Sequence, residues 1–68
     1  MVNRVKDLRV AAGLRQEDLA ASTGVSRQTI ISIERGRYNP SILLAFRLAR
    51  LLGTHIEDLF LYEEGDHD

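Results

Sequence analysis

The sequence predicts an all-α domain built from five short helices. Three observations carry that expectation. Apolar residues recur at three- and four-residue spacing in successive short stretches, as on helices with one inward face. Glycines at positions 13, 36 and 53 end three of those stretches, where a helix commonly stops. Residues 16–35, QEDLAASTGVSRQTIISIER, read as two short helices joined by a tight turn at Gly24.

Length and composition bound the rest. The 68 residues make one domain, 1–68, with a small core, so association with a second subunit is the expected support. There is no cysteine, which excludes a disulfide framework and a thiolate metal site and suits a reducing cytoplasm. No apolar run approaches the roughly 20 residues that span a bilayer, and the opening MVNRVKDL lacks the apolar core of a secretory signal. A cytoplasmic protein without membrane contact is expected. The formal net charge of −1 averages over two opposite parts. All nine basic residues fall in the first 50 positions against four acids, a local net of +5, while the last 18 hold six acids and no Lys or Arg. A DNA-facing surface with a distal acidic tail produces that asymmetry.

The first helix is expected over residues 3–12, with Val5 and Leu8 inward and Gly13 as its stop. In the second and third helices Leu19 and Ala20 share one inward face and Ile30 and Ile33 another. Ala20 is small enough for the helices to cross closely, Gly24 takes the positive φ of the turn, Val25 packs inward and Ser26 caps the helix that follows. Gly36 begins the polar loop GRYNPS, with Asn39 and Pro40 as turn residues. The fourth helix is expected over residues 42–52, with Ile42, Ala45, Leu48, Ala49 and Leu52 on the core stripe. Leu43, Leu44, Phe46 and Leu51 also need cover, from a fifth helix, a subunit interface or both. Thr54 or His55 caps that fifth helix, whose Ile56, Leu59 and Phe60 pack back, and residues 63–68 form an acidic tail.

The spacing of residues 16–35, the turn glycine and the GRYNPS segment that follows together resemble the phage repressor and Cro-like helix-turn-helix family, also called the xenobiotic-response-element family. The resemblance covers most of the chain. It implies a five-helix lambda-repressor-like DNA-binding domain, with a short strand over residues 60–62 against the first three residues, as in small dimeric members. It also implies a structural ion pair of Arg9 with Glu34, tying the first helix to the third. Gln16 matches the family glutamine that anchors a phosphate. Arg15 is a departure, because the family usually places Ser or Thr there as an N-cap; a phosphate contact replaces capping in this reading. The loop is expected along the sugar-phosphate backbone, which makes Arg35, Arg37, Tyr38 and Asn39 phosphate contacts, joined by Ser26.

On the third helix Arg27, Gln28, Ile31 and Ser32 lie opposite Ile30 and Ile33, so they project outward together. A helix fits the major groove, and these side chains can read base edges there. Arg27 suits guanine O6 and N7 or, alternatively, a phosphate. Gln28 suits adenine. Ile31 meets either a thymine methyl or a neighbouring helix, and Ser32 works through water. The surplus apolar residues Leu43, Leu51, Phe60, Leu61 and Tyr62 mark a homodimer interface in the C-terminal half.

An enzyme is not expected. The chain has no Gly-rich phosphate loop, no cysteine nucleophile and no Ser/His/acid set with scaffold enough for a pocket. His55 and His67 lack ligand-spaced partners, so neither a metal nor a cofactor is expected. Two functions remain. One is a transcriptional regulator, repressor in type, binding a palindromic operator in double-stranded DNA as a homodimer. The other is an antitoxin-type interaction module that also binds its own promoter.

Overall fold

The computed structural model describes residues 2–61. The order of elements is β1 (Val2–Asn3), α1 (Val5–Ala11), α2 (Gln16–Thr23), α3 (Arg27–Glu34), α4 (Ile42–Leu51), α5 (Ile56–Leu59) and β2 (Phe60–Leu61). The strands pair antiparallel, Val2 opposite Leu61 and Asn3 opposite Phe60, so the chain closes on itself where its described ends meet.

The first helix is shorter than its sequence pattern suggests. Asn3 is in β1, not in α1, because its side chain is committed to two other partners. Its Oδ1 accepts from the Val5 N–H at 3.1 Å, meeting one orphan donor of the α1 N-terminus, and its Nδ2 donates to the Ile33 carbonyl at 2.8 Å. One side chain thus joins β1, the start of α1 and the end of α3.

The turn between α2 and α3 forms as the spacing predicts. Gly24 has φ 77°, and the N–H groups of Gly24 and Val25 both donate to the Ala20 carbonyl. Ser26 Oγ then accepts from the Thr29 N–H at 3.1 Å and starts α3. At the other end of α3, Gly36 has φ 73°, with Gly36 N–H donating to Ile33 O and Arg37 N–H to Ser32 O. That is a Schellman closure, and it sends the chain sharply away from the helix axis.

The core consists of Val5, Leu19, Ala20, Ile30, Ile33, Leu44, Leu48, Ala49 and Leu59, with Leu8, Val25, Leu52, Ile56 and Phe60 packed around it. In α4 the expected stripe is corrected at one position. Ile42 is 73% exposed and Leu44 is buried, so the core arc runs through Leu44, Ala45, Leu48 and Ala49. Ser41 explains the phase, since its Oγ accepts from the Leu44 N–H and sets the first turn with Leu44 inward. His55 occupies the N-cap position of α5 without a side-chain hydrogen bond, so neither Thr54 nor His55 caps that helix as expected. Tyr62 and the acidic tail, residues 63–68, lie outside the described residues. Among the described residues no helix is long and apolar enough to cross a membrane.

Candidate nucleic-acid interface

The third helix is held rigidly from beneath. Ile30 and Ile33 are fully buried on its inner side, and Ser26 and Gly36 fix its ends. Arg27 and Gln28 are exposed on its first turn. Ile31 and Ser32, one turn on, are half-buried, so the outward face narrows toward the C-terminus. The four residues expected to act together do share the solvent side, with Arg27 and Gln28 as its long polar arms.

A polar network stands behind that helix. Arg9 Nε donates to Glu34 Oε2 at 2.6 Å and its Nη2 donates to Oε1 at 3.3 Å, a bidentate pair with side chains only 11% and 4% exposed. Arg9 Nη1 also donates to the Leu14 carbonyl at 2.9 Å. Gln16 Nε2 completes the set by donating to Glu34 Oε1 at 3.1 Å. The network therefore joins α1, the segment before α2, the first residue of α2 and the last residue of α3. Gln16, expected as a phosphate anchor, is held by Glu34 through its amide nitrogen.

Arg15 is also engaged. Its backbone N–H donates to Asp18 Oδ2 at 2.7 Å, and its guanidinium lies 3.4 Å from Asp18 and 3.1 Å from Glu17. Asp18 thereby does the capping that Arg15 cannot do, since a guanidinium has no acceptor. The Arg15 N–H first, and its guanidinium second, hold the Asp18 carboxyl below the usual carboxylate range. The Asp18 hydrogen bond and the two neighbouring carboxylates raise Arg15 in turn.

Arg35, Arg37, Tyr38 and Asn39 are all exposed at the end of α3 and in the loop after it. Asn39 also lines an apolar groove of about 320 Å³ with Pro40, Ile42, Ala45, Ile56 and Phe60, which places it toward α4 and α5. On α4 the expected interface residues Leu43 and Leu51 are exposed at 58% and 40%, and Phe46 joins them at 54%. Phe60 and Leu61 are half-buried in β2.

One side chain at this surface escaped the sequence reading. Lys6 of α1 lines a groove of about 380 Å³ together with Gln16, Arg27, Ile31, Glu34 and Arg35. The signal was present, because Lys6 precedes Arg9 by three residues and so shares its side of the helix.

Comparison with known proteins agrees with this geometry. The Helix-turn-helix family matches residues 5–59. An uncharacterised HTH-type transcriptional regulator of Methanocaldococcus jannaschii is 53% identical over 97% of this chain and all of its own length. The cryptic phage CTXphi transcriptional repressor RstR of Vibrio cholerae is 32% identical over 97% of this chain and 60% of its own. Among solved structures, the restriction-modification controller protein C.AhdI of Aeromonas hydrophila superposes with a TM-score of 0.76 at 38% identity, covering 84% of this chain and 86% of that one. With the family match spanning residues 5–59 and a relative 53% identical over nearly the whole chain, the chain belongs to the helix-turn-helix family of DNA-binding transcriptional regulators, of the phage repressor and Cro-like type, and is not an enzyme.

Proposed function

We propose that the chain is a repressor that binds a palindromic operator as a two-fold symmetric homodimer, each subunit laying α3 in the major groove. The observation that carries this reading is the pairing of a fully buried inner face on α3 with exposed Arg27 and Gln28 on its first turn. Arg27 suits a guanine edge and Gln28 an adenine edge, with Ile31 and Ser32 set back to support them. Arg35, Arg37 and Tyr38 then lie along the backbone, with Ser26, Asn39 and Arg15 at its margins. A phosphate reaching Arg15 must compete with Glu17 and Asp18 for its guanidinium.

Dimerisation is supported by Ile42, Leu43, Phe46 and Leu51 of α4, whose side chains are 40–73% exposed on the helix side they share with Arg47 and Arg50. Isolated apolar residues need no partner, but four exposed ones on a single ten-residue helix are more surface than a small monomer usually leaves to water. Leu61, half-buried in β2, belongs to the interface in this reading. Two recognition helices in such a dimer sit about 34 Å apart, one turn of DNA.

Selection of bound sequences from a random duplex pool tests the reading. A palindrome is expected, with sedimentation at micromolar concentration showing a dimer. Arg27→Ala and Gln28→Ala each cost roughly 1–3 kcal/mol on the selected site and relax preference at particular base pairs. Arg37→Ala weakens selected and scrambled duplexes alike and lowers the salt slope by about one per subunit. Asn39→Ala weakens both without altering the slope. A monomer with and without DNA, or a pool with no enriched sequence, overturns the proposal.

A further inference from the structure

We propose that the groove between α1 and α3 is a DNA phosphate site and that Lys6, outside the helix-turn-helix, is its principal holder. The inference rests on the DNA-binding reading and adds a contact from a helix that the reading leaves idle.

The argument begins with charge. The groove is lined by the cations Lys6 of α1, Arg27 of α3 and Arg35 just past the end of α3, and by the amide of Gln16. Its one carboxylate, Glu34, is already taken by a bidentate bond from Arg9 and a further bond from Gln16. The local charge is therefore close to that of the three cations alone. Among the described residues none of the three has a carboxylate within 4 Å, whereas Arg9 and Arg15 both do. Three cations side by side repel one another, and an anion seated between them relieves that repulsion.

Shape and position agree. At about 380 Å³ the groove is more than ten times the roughly 30 Å³ that a water molecule occupies, and it opens beside Arg27 at the start of the recognition helix. A second groove, lined by Lys6, Arg9, Arg15, Gln16, Glu17 and Arg27, continues from it past the start of α2. Arg9 and Arg15 there are paired with carboxylates, so the uncompensated charge common to both grooves is that of Lys6 and Arg27, which belong to both and flank the start of α3, where a phosphate backbone bordering the major groove would pass. An ammonium suits this role because it is a point charge with rotatable donors on a flexible stem, and it carries no base preference.

The test is a titration of the full chain against its selected duplex and a scrambled one, from 0.05 to about 0.5 M salt. One phosphate contact contributes a slope of about 0.9, so its loss at 0.1 M weakens binding roughly eightfold per subunit. Lys6→Gln is expected to show that loss on both duplexes with an unchanged melting temperature, and Lys6→Arg to restore the slope. Arg4→Gln, removing an exposed cation at the start of α1 that lines neither groove, is expected to leave the slope alone. An unchanged slope in Lys6→Gln, with wild type still binding, overturns this site and leaves the DNA-binding reading intact. Equal losses in Lys6→Gln and Arg4→Gln overturn it as well, by assigning the effect to diffuse charge. A wild-type chain that binds neither duplex overturns both.

Discussion

The Arg9–Glu34 pair should contribute far more to stability than its surface neighbours, and its removal can be worked from the structure. In Glu34→Ala the Arg9 guanidinium, 11% exposed, loses two of its three hydrogen bonds and keeps only the Leu14 carbonyl. In Arg9→Ala the Glu34 carboxylate, 4% exposed, keeps only the Gln16 amide. Breaking a buried pair from one side costs about 3–5 kcal/mol, and the edge exposure of Arg9 puts this pair near 3. A domain of this length holds roughly 3–10 kcal/mol in total, so each single variant should melt some 12–24 °C lower or lose cooperative folding. The double variant Arg9→Ala/Glu34→Ala leaves no orphaned charge and should lose less than the sum, with a coupling energy of about 2 kcal/mol. Denaturant unfolding of the four proteins supplies the cycle. Losses below about 1 kcal/mol in both single variants would refute the reasoning, because that is the range of an exposed ion pair.

Three further outcomes follow from the same structure. Asp18 has a depressed carboxyl pKa, so its contribution to stability is present above the unfolded-state value and fades as pH falls through the folded one; melts of Asp18→Asn should therefore lose less on going from pH 5 to pH 2.5 than wild type does. Gly24→Ala should cost about 1–2 kcal/mol, as strain at φ 77° and not as a clash, since nothing lies within 4 Å of the added methyl; Gly24→Asn should cost less, and a greater loss with Asn than with Ala would point to crowding. Leu43→Glu should shift the sedimentation of the protein toward monomer while leaving its helical circular dichroism unchanged, because Leu43 is 58% exposed in the single subunit.

The helix-turn-helix was legible in the sequence because its constraints are local. Leu19, Ala20, Ile30 and Ile33 repeat at helical spacing, and the turn requires one residue of positive φ, which Gly24 supplies. The pairing of Arg9 with Glu34 came from the resemblance, and the structure shows both side chains meeting. What the sequence left undecided lies where several arrangements satisfy the same pattern. In α4 apolar residues surround almost the whole helix, so periodicity alone permits Ile42 or Leu44 inward; the Ser41 cap and the packing of neighbouring helices select Leu44. Asn3 reads equally as a helix start or a strand end until the Ile33 carbonyl, thirty residues away, claims its amide. Gln16 and Lys6 show the same limit at the site. Gln16 matches the family's phosphate anchor and Lys6 looks like an ordinary exposed helix residue, and only the crossing of α1, α2 and α3 brings Gln16 onto Glu34 and sets Lys6 in one groove with Arg27 and Arg35. Local spacing therefore determined which helices form and which face of α3 meets solvent, while contacts between distant segments decided which charged groups are paired within the fold and which cations stand without a carboxylate partner among the described residues.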